Sequence, residues 1–306
     1  MSDFLHKYES KMEFTKIGYD HSLNFVKGVC ILLVIINHAT GLAFHQNSWF
    51  FLWGYPAVPL FLLIQVFHSY KKGFDGIHLK LGKIWTRAVF PFLLVEVLLF
   101  AYAVIIYPTI TLRELIMSAV YWGGRGPGSY YPWIYFQFAI LLPLLRPLFR
   151  HFGEKSLLVL FLTLSIGTEM LCHYLHVPDW LYRLLLFRYL FLIYIGYQLV
   201  LRGVVLNILT VSLSVISLIA VYCFEFRVFD FTPFFYDSED WKTCHWICYF
   251  YIAYPILYAL CKFFYWLPPK SVIENVFCKR GEHSYAIYIF QLLYFYVIAP
   301  MVLSGV

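Results

Sequence analysis

The sequence predicts an all-α fold, a polytopic transmembrane helical bundle of about nine or ten spans. Three observations lead to this prediction. First, 61% of the 306 residues are hydrophobic and only 13% are charged, which is about half the charged fraction of a soluble domain. Second, apolar runs long enough to cross a bilayer recur from residue 22 onward. Third, aromatic residues make up 22% of the chain, which suits the aromatic belts of membrane interfaces.

The predicted spans follow from a length of about 20 apolar residues for each. They lie near residues 22–44, 49–69, 85–107, 130–149, 156–175, 182–201, 204–224, 244–264 and 283–303. Between the third and the fourth span, residues 112–122 form an amphipathic segment that is too short and too polar to cross. We therefore expect two parts, an N-terminal segment of residues 1–21 and one integral-membrane domain of residues 22–306.

The loops between these spans differ in charge. Basic residues fall in alternate loops, and the positive-inside rule makes their side cytoplasmic, together with the N-terminus. They are Lys7, Lys11, Lys16, Lys71, Lys72, Lys80, Lys83, Arg146, Arg150, Lys155, Arg202, Lys262, Lys270, Lys279 and Arg280. Because these residues lie beside span ends, the net charge of +6 indicates contact with membrane lipids, and we expect no nucleic-acid partner.

The first span carries two ionisable residues, Lys27 and His38. An ionisable residue inside a span costs roughly 2.5 kcal/mol or more unless it has a partner or a function. Eleven residues separate the two, which at about 100° and 1.5 Å each puts them on one helix face roughly 16 Å apart. This spacing indicates the two ends of one elongated site. The alternatives are a histidine that bonds a neighbouring helix and a lysine that snorkels to the interface.

Other charged residues of the predicted spans also need an explanation. Glu96 is interpreted as the partner of Arg188 or of His38, or as a protonated structural acid, and Glu169 has the same alternatives. An unpaired guanidinium at Arg188, in the outer third of its span, would be costly. Arg125 lies in the outer loop G-G-R-G-P-G, whose backbone can fold close to a ligand; the alternative is a solvated loop arginine.

The seven cysteines are scattered along the chain. Cys244, His245 and Cys248 could begin a zinc site, but a second ligand pair with suitable spacing is missing, so we expect no metal. Buried thiols are the favoured interpretation, although Cys172, Cys223 and Cys244 fall on one predicted side, where a disulfide is possible. His245 is expected at an outer rim of the bundle, in an interface belt or against a sugar.

Two stretches in the first third of the chain resemble motifs of a known protein family. Residues 23–38 read L-N-F-V-K-G-V-C-I-L-L-V-I-I-N-H and resemble the L-D-x-x-R-G-x-A-x-x-x-V-x-x-x-H opening of the acyltransferase 3 family of integral-membrane O-acyltransferases. Lys27 takes the arginine position, Asn24 the aspartate position, and His38 is kept. Residues 83–91 read K-I-W-T-R-A-V-F-P and resemble that family's K-R-x-x-R-x-x-x-P, with Lys83 and Arg87 matching.

The resemblance continues to the end of the chain. Residues 126–145 and 188–199 match in the expected order, and residues 281–291, G-E-H-S-Y-A-I-Y-I-F-Q, resemble G-x-x-S-Y-x-I-Y-L-x-H. The chain departs from the pattern at Asn24, Ile84 and Gln291, which leaves the family resemblance intact but changes contacts expected for the donor.

The resemblance implies transfer of an acyl group, commonly acetyl from acetyl-CoA, to a hydroxyl of a cell-surface glycan or its lipid-linked precursor, in a bacterial inner (plasma) membrane. A histidine held in a low-dielectric site stays neutral and suits a general base, so His38 is the expected catalytic residue. Basic residues at the cytoplasmic end, namely Lys27, Lys83 and Arg87, suit the phosphates of acyl-CoA. An oxyanion donor is also required, and the candidates are Asn37, Arg125 and Arg188.

Other functions fit the same sequence. A transporter or flippase for a lipid-linked sugar would be expected to show inverted repeats, and no such internal symmetry is visible. A non-catalytic component of a glycan-assembly complex would be suggested by loss of the histidine, which is present. A longer or dicarboxylic donor such as succinyl-CoA would need one more cation deep in the site, which Arg188 or Arg125 could supply.

Overall fold

The computed structural model describes residues 16–40, 56–71, 81–106, 109, 111–121, 124, 128–225, 228–229, 234, 236 and 245–300. Within these ranges the chain is helical and has no strand, which confirms the all-α class. The helices are α1 (Lys16–Thr40), α2 (Ala57–Tyr70), α3 (Leu81–Ile106), α4 (Leu112–Tyr121), α5 (Tyr130–Leu144), α6 (Arg146–His151), α7 (Glu154–Tyr174), α8 (Asp179–Leu184), α9 (Leu190–Arg202), α10 (Ile208–Glu225), α11 (Trp246–Trp266), α12 (Val272–Glu282) and α13 (Ser284–Ile298).

Four of the described helices are long and apolar enough to cross a membrane. They are His21–Ala39 within α1, together with α3, α7 and α11. The shorter apolar helices α2, α13 and Ile208–Phe224 of α10 also fall where spans are predicted. The structure is thus that of a membrane protein with several apolar helices, and the count of nine or ten spans stays a prediction.

Helix α9 lies at the centre of the bundle. Its residues from 190 to 199 are all buried, and it packs against α2 and α7. Three aromatic rings meet at the C-terminal end of α9: the ring centroid of Phe149 lies 4.3 Å from that of Tyr197 and 5.3 Å from that of Tyr70. The Tyr70 hydroxyl donates to the Leu142 carbonyl over 2.8 Å. Buried aromatic pairs of this kind contribute about 0.5–1.5 kcal/mol beyond their buried area.

The sixth predicted span, 182–201, is interrupted in the structure. Helix α8 ends at Leu184, a 3-10 turn covers Leu186–Tyr189, and α9 then begins. The Ser165 hydroxyl of α7 donates to the Phe187 carbonyl at 3.3 Å and accepts from the Phe191 N–H at 3.0 Å. Because lipid offers no partners to backbone groups, such a break is tolerated only where protein side chains supply them. Hydropathy cannot detect it, since both sides of the break are apolar.

Three π-helical turns occur in the described residues, each at a proline. The turns are Trp85–Val89, Ile252–Ile256 and Tyr294–Ile298, and the prolines are Pro91, Pro255 and Pro300. Proline lacks an N–H and its ring collides with the carbonyl four residues earlier, so widening the helix there relieves the collision. The first turn contains Arg87, and Pro91 therefore helps to set where that side chain emerges from α3.

Helix α12 was not expected, because its sequence lies between two predicted spans. The Ser271 hydroxyl caps it by accepting from the Glu274 N–H at 3.2 Å, which satisfies one of the free donors of the first turn. The helix packs along α1, the helix of Lys27 and His38. It thereby supports the element on which the predicted site is built.

Candidate functional site

A cavity of about 560 Å³ lies between α1, α2, α3, α5 and α13, with Glu282 of α12 at its edge. Its lining includes Lys27, Lys83 and Arg87, the three cationic residues expected at the cytoplasmic end of the site. Lys27 is partly buried, whereas Lys83 and Arg87 are exposed. The volume is within the range of roughly 300–1,000 Å³ typical of small-molecule sites.

The charges around this cavity favour an anion. Three cations and one carboxylate, that of Glu282, are among the lining residues. The planar guanidinium of Arg87 suits bidentate contacts to a phosphate, and the two lysines act as point charges. An anionic group entering from water would therefore meet Lys83 and Arg87 first and Lys27 further in.

Tyrosines form the inner wall of the cavity. Tyr131 and Tyr288 are buried, and their ring centroids are 4.9 Å apart. Tyr135 and Tyr285 form a second pair at 5.6 Å. The Tyr285 hydroxyl donates to the Ala88 carbonyl at 2.8 Å, so it joins α13 to the π-helical turn that carries Arg87. The wall is apolar, with hydroxyl groups at its edges.

His38 lies beyond this wall, eleven residues along α1 from Lys27. Its ring is partly buried and its centroid is 6.1 Å from that of Phe295. A Cβ atom on Gly128 would lie 3.4 Å from His38 Nε2 and nearer still to the Tyr288 hydroxyl. Tyr288 donates to the Gly128 carbonyl. Because Tyr288 also lines the cavity, it links the cationic cavity to His38.

Two described glycines of the Gly-rich segment before α5 lie against two predicted site residues. Gly124 has φ +110° and Gly128 has φ +84°, in the region that favours glycine. A Cβ atom on Gly124 would lie 2.5 Å from the Glu96 Oε1 atom. The two ends of the loop thus contact Glu96 and His38. Arg125, between them, lies outside the described residues.

A second group of polar side chains is buried between α7, α8 and the start of α11. The Glu169 Oε2 atom accepts from the Tyr182 hydroxyl at 2.7 Å and lies 3.2 Å from His245 Nδ1. The Tyr236 N–H also donates to Glu169, at 2.9 Å. The Arg188 guanidinium carbon stands 3.8 Å from the Tyr182 ring centroid, a cation–π distance. Tyr182 thus contacts both Glu169 and Arg188.

This buried group revises the expected position of His245 and bears on the expected role of Arg188. His245, expected at an outer rim, is only 1% exposed and lies in the protein interior, because Glu169 and Tyr182 offer it polar partners. Arg188 lies with Glu169, and it is not among the residues that line the cavity. Its predicted catalytic role stays a prediction, as does that of Asn37, which is partly buried directly before His38.

The predictions for the cysteines concern residues of which the structure describes only some. Cys172 and Cys223 are free thiols and Cys172 is buried, while Cys244 lies outside the described residues. Among the side chains that the structure describes, no group of three or more histidine, cysteine or acidic residues could hold a metal ion.

The contribution of Tyr288 was missed by reasoning from the sequence. A signal for it is present: Tyr285 and Tyr288 are three residues apart, so they share one face of α13. Both belong to the S-Y-x-I-Y stretch of residues 284–288. The sequence does not show that Gly128, from a distant part of the chain, lies next to Tyr288.

A comparison with known protein families identifies the family of this chain. The family model of the acyltransferase domain matches residues 20–305, nearly the whole chain. No curated protein and no solved structure matches the chain. The match extends over α1, the cavity and α13, and the chain is therefore a member of the acyltransferase 3 family.

Proposed function

We propose that this protein transfers an acyl group, most simply acetyl, from acyl-CoA on the cytoplasmic side to a hydroxyl of a cell-surface glycan or its lipid-linked precursor. One observation carries the proposal. Helix α1 holds Lys27 in a cavity with Lys83 and Arg87, and it holds His38 beside Tyr288, which lines that same cavity. A cationic site and a candidate base are thus joined by one helix.

The donor end of the proposed site is the cationic cavity. Acyl-CoA has phosphates at one end and a thioester at the other, with the flexible pantetheine arm between them. Lys83 and Arg87 are exposed and would bind the phosphates from the water phase, with Lys27 deeper. The buried rings of Tyr131 and Tyr288 offer an apolar surface for the arm and the acyl group.

The acceptor end is His38. Its Nε2 atom would take the proton of the acceptor hydroxyl while the hydroxyl oxygen forms a bond to the thioester carbonyl carbon. When the tetrahedral intermediate collapses, the carbon–sulfur bond breaks and the CoA thiolate takes the proton from the imidazolium. A route through a transient acyl-histidine gives the same products.

Glu96 is proposed as a positioning residue for this reaction. Its carboxylate contacts Gly124 at one end of the loop, and His38 approaches Gly128 at the other end. A change at Glu96 would therefore act on His38 through the loop. Asn37 and Arg125 remain candidates for contacts to the acyl group or the donor, on the strength of their positions in the chain.

The proposal includes an orientation in the cell's inner membrane with a cytoplasmic N-terminus. Support comes from Arg202 at the end of α9, which pairs with Glu154 at the start of α7. Both residues belong to loops that the charge pattern assigns to the cytoplasm. Two independent loops of the same predicted side are thus adjacent.

The test is acyl transfer in membranes that contain the wild-type protein or His38→Ala. Radiolabelled acetyl-CoA is the donor and a glycan-precursor extract the acceptor, with labelled succinyl-CoA in a parallel arm. We expect label in the glycan fraction with wild type only. His173→Ala changes a partly buried histidine of α7, a helix that contributes no residue to the cavity lining; it is the matched control and should transfer normally. Equal labelling by wild type and His38→Ala, at equal protein levels, would contradict the role of His38.

A further inference from the structure

Two hydrogen-bonding side chains of α13, Tyr288 and Gln291, lie on the side of the helix that approaches His38. Tyr288 comes near His38 at Gly128, and Phe295 comes near it through a ring contact. Tyr288 and Phe295 are seven residues apart, and Gln291 lies between them with the i, i+3, i+7 spacing of one helix face.

The Gln291 side chain is a buried polar group without a hydrogen bond inside the described part of the chain. It is 3% exposed, and neither its amide nitrogen nor its amide oxygen has a partner there. Buried polar groups of native proteins are nearly always paired, so an unpaired carboxamide calls for an explanation. A polar atom of a bound substrate would be such a partner.

The Tyr288 hydroxyl is the second donor. The residue is 2% exposed and its hydroxyl donates to the Gly128 carbonyl. The space that a Cβ atom on Gly128 would fill touches both this hydroxyl and His38 Nε2. The Tyr288 hydroxyl, a hydrogen-bond donor, and His38 Nε2, the proposed base, therefore lie about one methyl group apart at Gly128. That is the arrangement required where a hydroxyl attacks a carbonyl whose oxygen must be stabilised.

Resting on the proposed function, we infer that Tyr288 and Gln291 form the binding site for the carbonyl oxygen of the acyl group. When the acceptor oxygen bonds to the carbonyl carbon, the π electrons of the carbonyl move to its oxygen, which becomes an oxyanion. The Tyr288 O–H and the Gln291 N–H donate to it and keep their protons. For this, the Tyr288 hydroxyl gives up its hydrogen bond to the Gly128 carbonyl and donates to the substrate oxygen instead. The carbonyl re-forms as the carbon–sulfur bond breaks, and the CoA thiolate takes the proton from His38.

The first test compares Tyr288→Phe with Tyr70→Phe in the purified full-length protein, following CoA release from acetyl-CoA with a glycan-precursor extract as acceptor. Both tyrosines are buried and donate to a backbone carbonyl, but Tyr70 is not in the cavity lining. We expect kcat to fall by about 10²–10³-fold in Tyr288→Phe, with KM for acetyl-CoA little changed. Tyr70→Phe should keep the wild-type kcat.

The Gln291 donor is tested in the same way. Gln291→Leu should lower kcat at nearly constant KM for acetyl-CoA. Gln198→Leu is its control, since the Gln198 amide nitrogen is also buried without a partner among the described residues. Gln198 belongs to α9, which contributes no residue to the cavity lining, whereas α13 contributes Tyr288. An equal fall in kcat for both leucine variants would point to a packing effect and would overturn the assignment of Gln291.

Fluorinated tyrosine at position 288 separates chemistry from packing if Tyr288→Phe does not fold. It keeps the ring and the hydroxyl but makes the hydroxyl more acidic, so kcat should change steadily with the number of fluorine atoms. A kcat independent of phenol acidity would overturn the role of Tyr288. If wild type transfers acetyl and His38→Ala does not, while Tyr288→Phe matches wild type, only this inference fails. If wild type transfers no acyl group, the proposed function itself fails.

Discussion

Gly281 of α12 lies so close to Asn24 of α1 that a Cβ atom on Gly281 would stand 2.7 Å from the Asn24 carbonyl carbon. A second glycine makes the same kind of contact in the opposite direction: a Cβ atom on Gly28 of α1 would stand 2.8 Å from the carbonyl carbon of Phe277 in α12. The two helices therefore meet main chain against main chain, as small residues allow in membrane proteins. These two glycines belong to the two motifs that begin and end the family resemblance, so they hold the helix of Lys27 and His38 in position.

We predict that Gly281→Ala and Gly28→Ala each destabilise the protein. A methyl group has no space at either position, and overpacking of this kind costs about 1–3 kcal/mol. Thermal unfolding in detergent should show a lower midpoint for both variants. Gly167→Ala in α7 is the matched control, because a Cβ atom there meets nothing within 4 Å, and its midpoint should be unchanged or higher. A midpoint for Gly281→Ala equal to that of wild type would contradict the close approach.

We predict that Arg87→Gln weakens acyl-CoA binding. Hydrogen bonds to charged groups contribute about 1.5–3 kcal/mol, so KM for acetyl-CoA should rise roughly 10- to 100-fold. The effect on KM should shrink as salt is added, because screening weakens an exposed contact. Lys155→Gln, an exposed residue of a basic loop outside the cavity lining, should leave KM unchanged. The same KM for Arg87→Gln and Lys155→Gln would argue that the cavity does not bind the donor.

We predict that Arg188→Met mainly destabilises the fold. Arg188 and Glu169 are both fully buried, and removal of one member of a buried charged group costs about 3–5 kcal/mol since the other stays uncompensated. Chemical denaturation should show this loss. The fraction that folds should keep its kcat, because Arg188 is grouped with Glu169 and Tyr182, and the helices α7, α8 and α9 around this group contribute no residue to the cavity lining. Normal stability combined with a lost kcat would instead support the catalytic role predicted from the sequence.

We predict that the start of α4 loosens in acid. The Thr111 N–H donates to the Glu114 carboxylate at 2.8 Å, and the Glu114 N–H donates to the Thr111 hydroxyl at 3.2 Å, which forms a capping box. The hydrogen bond from Thr111 lowers the pKa of Glu114 below its ordinary value. The cap therefore stabilises α4 above the unfolded-state pKa and is lost as pH falls through the lower, folded-state pKa.

Hydrogen exchange of residues 112–116 as a function of pH measures this effect. Protection, corrected for the intrinsic pH dependence of exchange, should fall on acidification in wild type. Glu114→Gln cannot ionise, so its protection should not follow the same curve. Identical pH dependence in the two proteins would refute the capping role of the carboxylate.

Local features of the sequence predicted much of the fold. Hydropathy located α1, α3, α7 and α11, because each depends only on the composition of about 20 consecutive residues. The break before α9 and the helix α12 were not predicted. The break is stabilised by Ser165 of α7, and α12 by its packing along α1. Neither contact is encoded in the hydropathy of the segment itself.

The sequence by itself determined the all-α membrane class, the family, and the alignment of Lys27 and His38 on one helix, since composition, motif spacing and helical period are local properties. Tertiary structure decided which distant groups meet. It brought Tyr288 and Gly128 to His38, and Lys83 and Arg87 to Lys27. It also joined Arg188 and His245 to Glu169. The physical reason is that such meetings depend on how helices cross and rotate, which side-chain packing between separate segments settles.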